Sequence, residues 1–146
     1  MKSPKHLDFG GIAVSVPESW QDISHETETS DKVFTLAKDD GHGALQFSIA
    51  LYKNGPIPNP SLADLMTLVC GVGEKRQLGE GFDATEEEGE SRIAARSYQW
   101  GDVFLRVWYV SDGRNIAFVT YNCDWGEQES ELADCEGIVK SIRFVG

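Results

Sequence analysis

The residues of this chain that could do chemistry are few and scattered. Its three histidines, His6, His25 and His42, lie in a basic start, a polar stretch and a glycine-rich turn. No two of them are spaced to share one face of a helix, so a metal centre or a histidine relay would need ligands from distant segments. Cys70, Cys123 and Cys135 match no zinc spacing. Cys123 and Cys135 are the pair whose separation best suits a bridge, but three thiols in a chain with no secretory start read better as free, buried cysteines in a reduced compartment. Asp39-Asp40-Gly41-His42-Gly43 has the residue types of a calcium loop without the full set of spaced oxygen ligands or the distal Glu. Gly71-Val72-Gly73-Glu74-Lys75 has neither the glycine spacing nor the Lys-Ser/Thr ending of a phosphate loop, and helix termination explains it better. Ser24-His25 supports no nucleophile. The expectation is a chain with no catalytic residues, no cofactor and no metal.

What the chain has instead is negative charge. Asp and Glu number 24 against 13 Lys and Arg, a formal net charge of -11. Such a surface repels phosphate backbones and anionic membranes and attracts basic proteins. The acids fall into three groups: Glu18, Asp22, Glu26, Glu28 and Asp31; Asp83, Glu86, Glu87, Glu88 and Glu90; and Glu127, Glu129, Glu131, Asp134 and Glu136. Trp100 and Trp125 stand in turns beside acids, as Trp100-Gly101-Asp102 and Asp124-Trp125-Gly126, and suit interface anchors. The candidate partner-binding residues are therefore Asp83, Glu86, Glu87, Glu88, Glu90, Trp100, Asp102, Asp124, Trp125 and Glu127. Their expected partner is a protein with a basic surface, not a nucleic acid or a membrane.

The elements that must position these residues follow from hydrophobic period. The 146 residues form one domain, 40% of them hydrophobic, enough for a core. Ile12-Ala13-Val14-Ser15-Val16-Pro17 alternates and stops at proline, a first strand followed by an indole, Trp20, turned back on the sheet. Residues 33–37 and 44–52 read as a hairpin. Ser61 caps a helix over Leu62, Leu65, Met66 and Val69, with Asp64 completing a capping box and the helix stopping near Gly71 or Gly73. The stretch 76–90 is a charged, glycine-punctuated crossing with room for short strands that sequence alone does not resolve. Three strands of a meander follow, 91–99, 103–110 and 115–123, with Asp112-Gly113 as a hairpin signal. A last helix over about 129–140 buries Leu132, Cys135, Ile138 and Val139, and 141–145 closes as a short strand. The first of the meander strands and the terminal one are expected near sheet edges. Strands, helix, meander and helix make an α+β fold, an antiparallel sheet covered by helices in an α/β/α-like sandwich. No apolar run reaches the length of a membrane span, and the start has no secretory leader, which points to the cytosol.

Three segments carry a resemblance to a known family. Ile12-Ala13-Val14-Ser15-Val16-Pro17-Glu18-Ser19-Trp20, Asn115-Ile116-Ala117-Phe118-Val119-Thr120-Tyr121 and Cys135-Glu136-Gly137-Ile138-Val139-Lys140-Ser141-Ile142-Arg143-Phe144 resemble, in order and spacing, the PsbP-like superfamily, which includes the Mog-type and DcrB-type domains. The resemblance implies a single PsbP-like domain that binds proteins. Its compact acidic bacterial branch implies an immunity protein that neutralises a secreted toxin or, alternatively, a chaperone for a secreted effector or a non-catalytic ligand-binding accessory.

Overall fold

The computed structural model describes residues 5–23 and 34–145; Ser24-His25 and Glu26, Glu28 and Asp31 of the first acidic group lie outside them. Two sheets build the domain. The larger has seven strands in the order β3 (Trp20–Asp22), β4 (Phe34–Lys38), β5 (Ala44–Ala50), β9 (Ile116–Asp124), β8 (Val103–Ser111), β7 (Arg92–Trp100) and β6 (Phe82–Glu88). The smaller has β1 (Lys5–Phe9), β2 (Ile12–Val16) and β10 (Arg143–Phe144), with β2 central. All neighbours are antiparallel.

Alternation sorts the side chains of the large sheet. On β8, Phe104, Arg106, Trp108 and Val110 point to one face and Leu105, Val107 and Tyr109 to the other, and the register lays Ala95 and Val119 on either side of Trp108. The first face packs against Ile12, Val14 and Val16 of β2 and Cys135, Ile138 and Val139 of α2 (Leu132–Lys140). The second packs, with Ala94 and Tyr98, against Leu65 and Val69 of α1 (Leu62–Lys75). The layers are thus helix, seven-stranded sheet, then helix with small sheet: the α+β sandwich expected. Each fully buried large side chain, such as Phe47 or Leu45, contributes about 2 kcal/mol by leaving water.

Several elements differ from the sequence reading, each for a local reason. Ile12–Val16 is the second strand, because Lys5–Phe9 folds back on it through Gly10 and Gly11, at φ 58° and 91°, the paired left-handed conformation of a tight hairpin. Helix α1 begins as expected, with Ser61 Oγ accepting from the Asp64 N–H and Asp64 from the Ser61 N–H, but runs through both glycines to Lys75. Gly73 is used for space: a Cβ there would lie 2.7 Å from the Tyr98 ring. The charged crossing holds β6, so the 91–99 strand is covered and β6 is the edge; the terminal strand, β10, is an edge of the small sheet, as expected. The last helix is two pieces, a 3-10 turn (Gln128–Ser130) and α2, separated at Glu131.

Candidate functional site

Three of the five carboxylates of the third acidic group, Glu131, Asp134 and Glu136, are bonded within the fold, while Glu127 and Glu129 are exposed. Glu131 is buried, 1% exposed. Its carboxylate accepts the N–H of His42 at 2.8 Å, the N–H of Gly43 at 3.1 Å and the Tyr121 hydroxyl at 2.8 Å. The Asp39-to-Gly43 turn therefore serves as a cradle for a side chain of its own chain, and Glu131 anchors that turn to the start of α2. Burial foremost, then the bonds to Cys123 and Glu131, push the Tyr121 phenol far above its ordinary range, so it stays a donor. Asp134 accepts the Trp20 indole N–H at 3.1 Å.

Glu136 closes a second internal network. Arg106 is 3% exposed in the middle of β8. Its Nε donates to Glu136 Oε1 at 2.6 Å, Nη1 to the Asp83 carbonyl and to Ser97 Oγ at 2.8 Å each, and Nη2 to Thr85 Oγ1 at 3.0 Å. The guanidinium lies 5.5 Å from the centre of the Trp108 ring, whose N–H reaches Glu136 Oε2 at 3.3 Å. A buried charge is tolerated only when paired and bonded this fully. The sequence signal was present: an arginine alternating with Phe104, Trp108 and Val110 on one strand face must find a counter-ion inside.

The ten predicted partner-binding residues fall in two places. Glu86, Glu87, Glu88 and Glu90 line the open edge at β6. Three of them are paired at home, Glu87 with Lys140 at 3.2 Å, Glu88 with Arg92 at 3.3 Å and Glu90 with Arg143 at 2.9 Å. Charge along an edge, together with the register shift between Phe82 and Thr85 and the positive φ of 51° at Asp83, discourages a further strand from pairing there.

Trp100, Asp102, Asp124, Trp125 and Glu127 come together at one end of the large sheet, near the start of β6 where Asp83 sits. The Trp125 N–H donates to the Asp102 carbonyl at 2.7 Å, joining the β7–β8 and β9–α2 turns. Trp125 is 42% exposed and rests on Phe82 and Phe104, with ring centres 6.0 Å and 6.1 Å away. Trp100 is 62% exposed, but register pairs it with Val103 on the α1 face, so the two indoles flank opposite faces of the sheet end. Glu127 lies 3.3 Å from His42 Nε2. Among the described residues no Lys or Arg lies within ion-pair range of Asp83, Asp102, Asp124 or Glu127.

All three cysteines are free. Burial, then the charges of Glu131, Asp134 and Glu136, drive the Cys135 thiol far upward, and burial raises Cys123 as well, so both stay protonated and poorly nucleophilic. Among the described residues no cluster of three His, Cys, Asp or Glu side chains is placed to hold a metal ion, and no helix is long and apolar enough to cross a membrane.

No sequence family and no curated protein matches the chain. Solved structures do. Cyanobacterial PsbP from Synechocystis is similar with a TM-score of 0.65 at 13% identity, over 99% of this chain and 94% of that one. A mutant of the protein Mog1 is similar with a TM-score of 0.58 at 12% identity, over 99% and 97%. A Bacteroides thetaiotaomicron protein is similar with a TM-score of 0.60 at 12% identity over 93% of this chain, which spans only 46% of that protein's length. The chain has the PsbP-like, Mog1-like fold.

Proposed function

We propose that this domain is a non-catalytic protein-binding module, and specifically an immunity protein that neutralises a secreted toxin by occluding its active site. One observation carries the reading: the sheet end presents a half-exposed indole, Trp125, on a hydrogen-bonded turn near Asp83, Asp102 and Asp124, which have no Lys or Arg within ion-pair range among the described residues, whereas Glu87, Glu88 and Glu90 on the β6 edge are paired within the chain. Large aromatics dominate binding energy at interfaces, and complementary charge speeds encounter with a basic rim. Both favour docking over chemistry. The folds of PsbP and Mog1 agree with a binding role by analogy.

The chaperone alternative would use a different surface, the hollow between α1 and β6 floored by Ala63, Met66 and Cys70 and rimmed by Glu74 and Glu86. At about 380 Å3 it takes a side chain or two rather than the face of a helix about 10 Å across, which favours the inhibitor reading. Titration of the purified chain against toxins encoded beside its gene, with a matching protection assay in cells, tests the proposal. A tight, salt-weakened complex and rescue of growth are expected; no complex and no protection would overturn it.

A further inference from the structure

We propose that the Trp125 corner is an arginine seat: it takes the guanidinium of a partner's loop, stacked on the indole and held by the surrounding carboxylates. The inference rests on the protein-binding reading above and goes further by naming the group that enters. The chain uses this combination once already, inside. At Arg106 a guanidinium lies 5.5 Å from the centre of an indole ring, that of Trp108, and one carboxylate, Glu136, accepts from both the guanidinium and the indole N–H. The sheet end sets the same residue types, an indole and carboxylates, on adjoining turns, and no Lys or Arg lies within ion-pair range of Asp102 or Asp124 among the described residues. Phe82 packs on the Trp125 ring at an interplanar angle of 77° and Phe104 at 44°, and 42% of the residue stays exposed. The turn is rigid: besides the Trp125 bond to Asp102, the Glu127 N–H donates to the Asp124 carbonyl at 3.0 Å, and the Gly126 N–H donates to Gln128 Oε1 at 2.7 Å.

Charge selects a cation, since Asp102, Asp124 and Glu127 share these two joined turns and, among the described residues, only His42, beside Glu127, lies within ion-pair range of them. Shape selects arginine over lysine. A guanidinium is planar, sheds water more easily than an ammonium, stacks on an aromatic face and forks onto a carboxylate at once. A fixed indole with acids around it rewards those properties; a diffuse negative field would not distinguish the two.

The test uses two blocked peptides of equal length and charge, one alternating Gly and Arg and one alternating Gly and Lys, titrated into the full chain. The chain has four Trp, and their indole N–H resonances report the outcome. Those of Trp20 and Trp108 are bonded inside to Asp134 and Glu136 and serve as silent references. The Arg peptide should move the Trp125 resonance and bind about three-fold or more tightly than the Lys peptide. Trp125→Ala should abolish that preference, Trp125→Phe, which keeps packing on Phe82 and Phe104, should reduce it, and Trp100→Ala should leave it. Equal binding of the two peptides, a preference that survives Trp125→Ala, or no binding at all would overturn the inference. A toxin complex without arginine preference would leave the protein-binding reading standing and remove this one; arginine preference without any captured toxin would leave the seat standing and remove the immunity role.

Discussion

Arg106 and Glu136 meet at 2.6 Å, the guanidinium almost wholly buried and the carboxylate at its edge with 30% of its surface exposed. The contact ties α2 to the centre of the sheet, and the remaining donors of Arg106 pin the irregular start of β6 through Asp83, Thr85 and Ser97. Removing one partner strands the other. Glu136→Ala should lower unfolding stability by about 3 kcal/mol, while Arg106→Leu with Glu136→Leu together should cost less than the single change. Urea unfolding of the unaltered protein, Glu136→Ala and the double variant measures this; a double variant less stable than Glu136→Ala would contradict it.

Glu131 should behave as a structural anchor. Glu131→Gln keeps the shape but turns an N–H2 toward at least one of three donors, at a cost of about 2 kcal/mol. Hydrogen exchange at the His42 and Gly43 amides should quicken more than at the amides of β5. Gly41→Ala should act alike, because its Cβ would fall 2.4 Å from Glu131 Oε2. Unchanged exchange in both variants would remove the anchor role.

The helical glycines give opposite predictions. A Cβ at Gly71 or Gly137 meets nothing within 4 Å, so Gly71→Ala and Gly137→Ala should each stabilise by up to about 1 kcal/mol through helix propensity. Gly73→Ala carries the same propensity gain but drives a methyl into the buried Tyr98 ring, so it should destabilise. Thermal unfolding of the three variants reads the sign of each; a stabilising Gly73→Ala would contradict the packing described.

Acid should weaken the fold partly through two surface carboxyls. The Ser61 backbone and side-chain bonds hold Asp64 below its usual value. At Asp112 partial burial pushes upward, but the N–H groups of Asn115 and Arg114 and the Asn115 side chain outweigh it, and the net shift is down. A carboxyl lowered in the folded state contributes its stability fully above its unfolded value, near 3.8, and loses it as pH falls through the lower folded value. Asp64→Asn and Asp112→Asn should therefore flatten the stability profile below about pH 4 and leave its shape near neutrality alone. An unchanged acid slope would argue against both.

Strong periodicity made the core legible. Alternation in β2, β5, β8 and β9, and the Ser61–Asp64 box before Leu65 and Val69, led directly to the elements that form. Three strands did not register as such. β3, Trp20-Gln21-Asp22, has one apolar residue and reads as a turn running into a polar loop; β1, Lys5-His6-Leu7-Asp8-Phe9, has too few apolar residues to alternate; and β6, Asp83-Ala84-Thr85-Glu86-Glu87-Glu88, left unresolved within the charged crossing, is polar because an edge strand must be. Charge was the least legible property. Sequence gives the sign of Glu131, Asp134 and Glu136 but not their direction, which is set by Gly43, Trp20 and Arg106, residues 30 to 114 positions away. The sheet-end cluster was readable as residue types, and only the pairing of β8 with β9 brought Trp100, Asp102, Asp124 and Trp125 to one place.

The most direct test maps the contact surface on the intact complex with a captured protein partner, by hydrogen exchange of the full chain free and bound. Protection should concentrate at residues 82–83, 100–102 and 124–127, and the affinity should fall as salt rises. Protection confined to the α1 hollow around Met66 and Cys70, with affinity indifferent to salt, would contradict docking through the acidic, tryptophan-bearing end of the sheet.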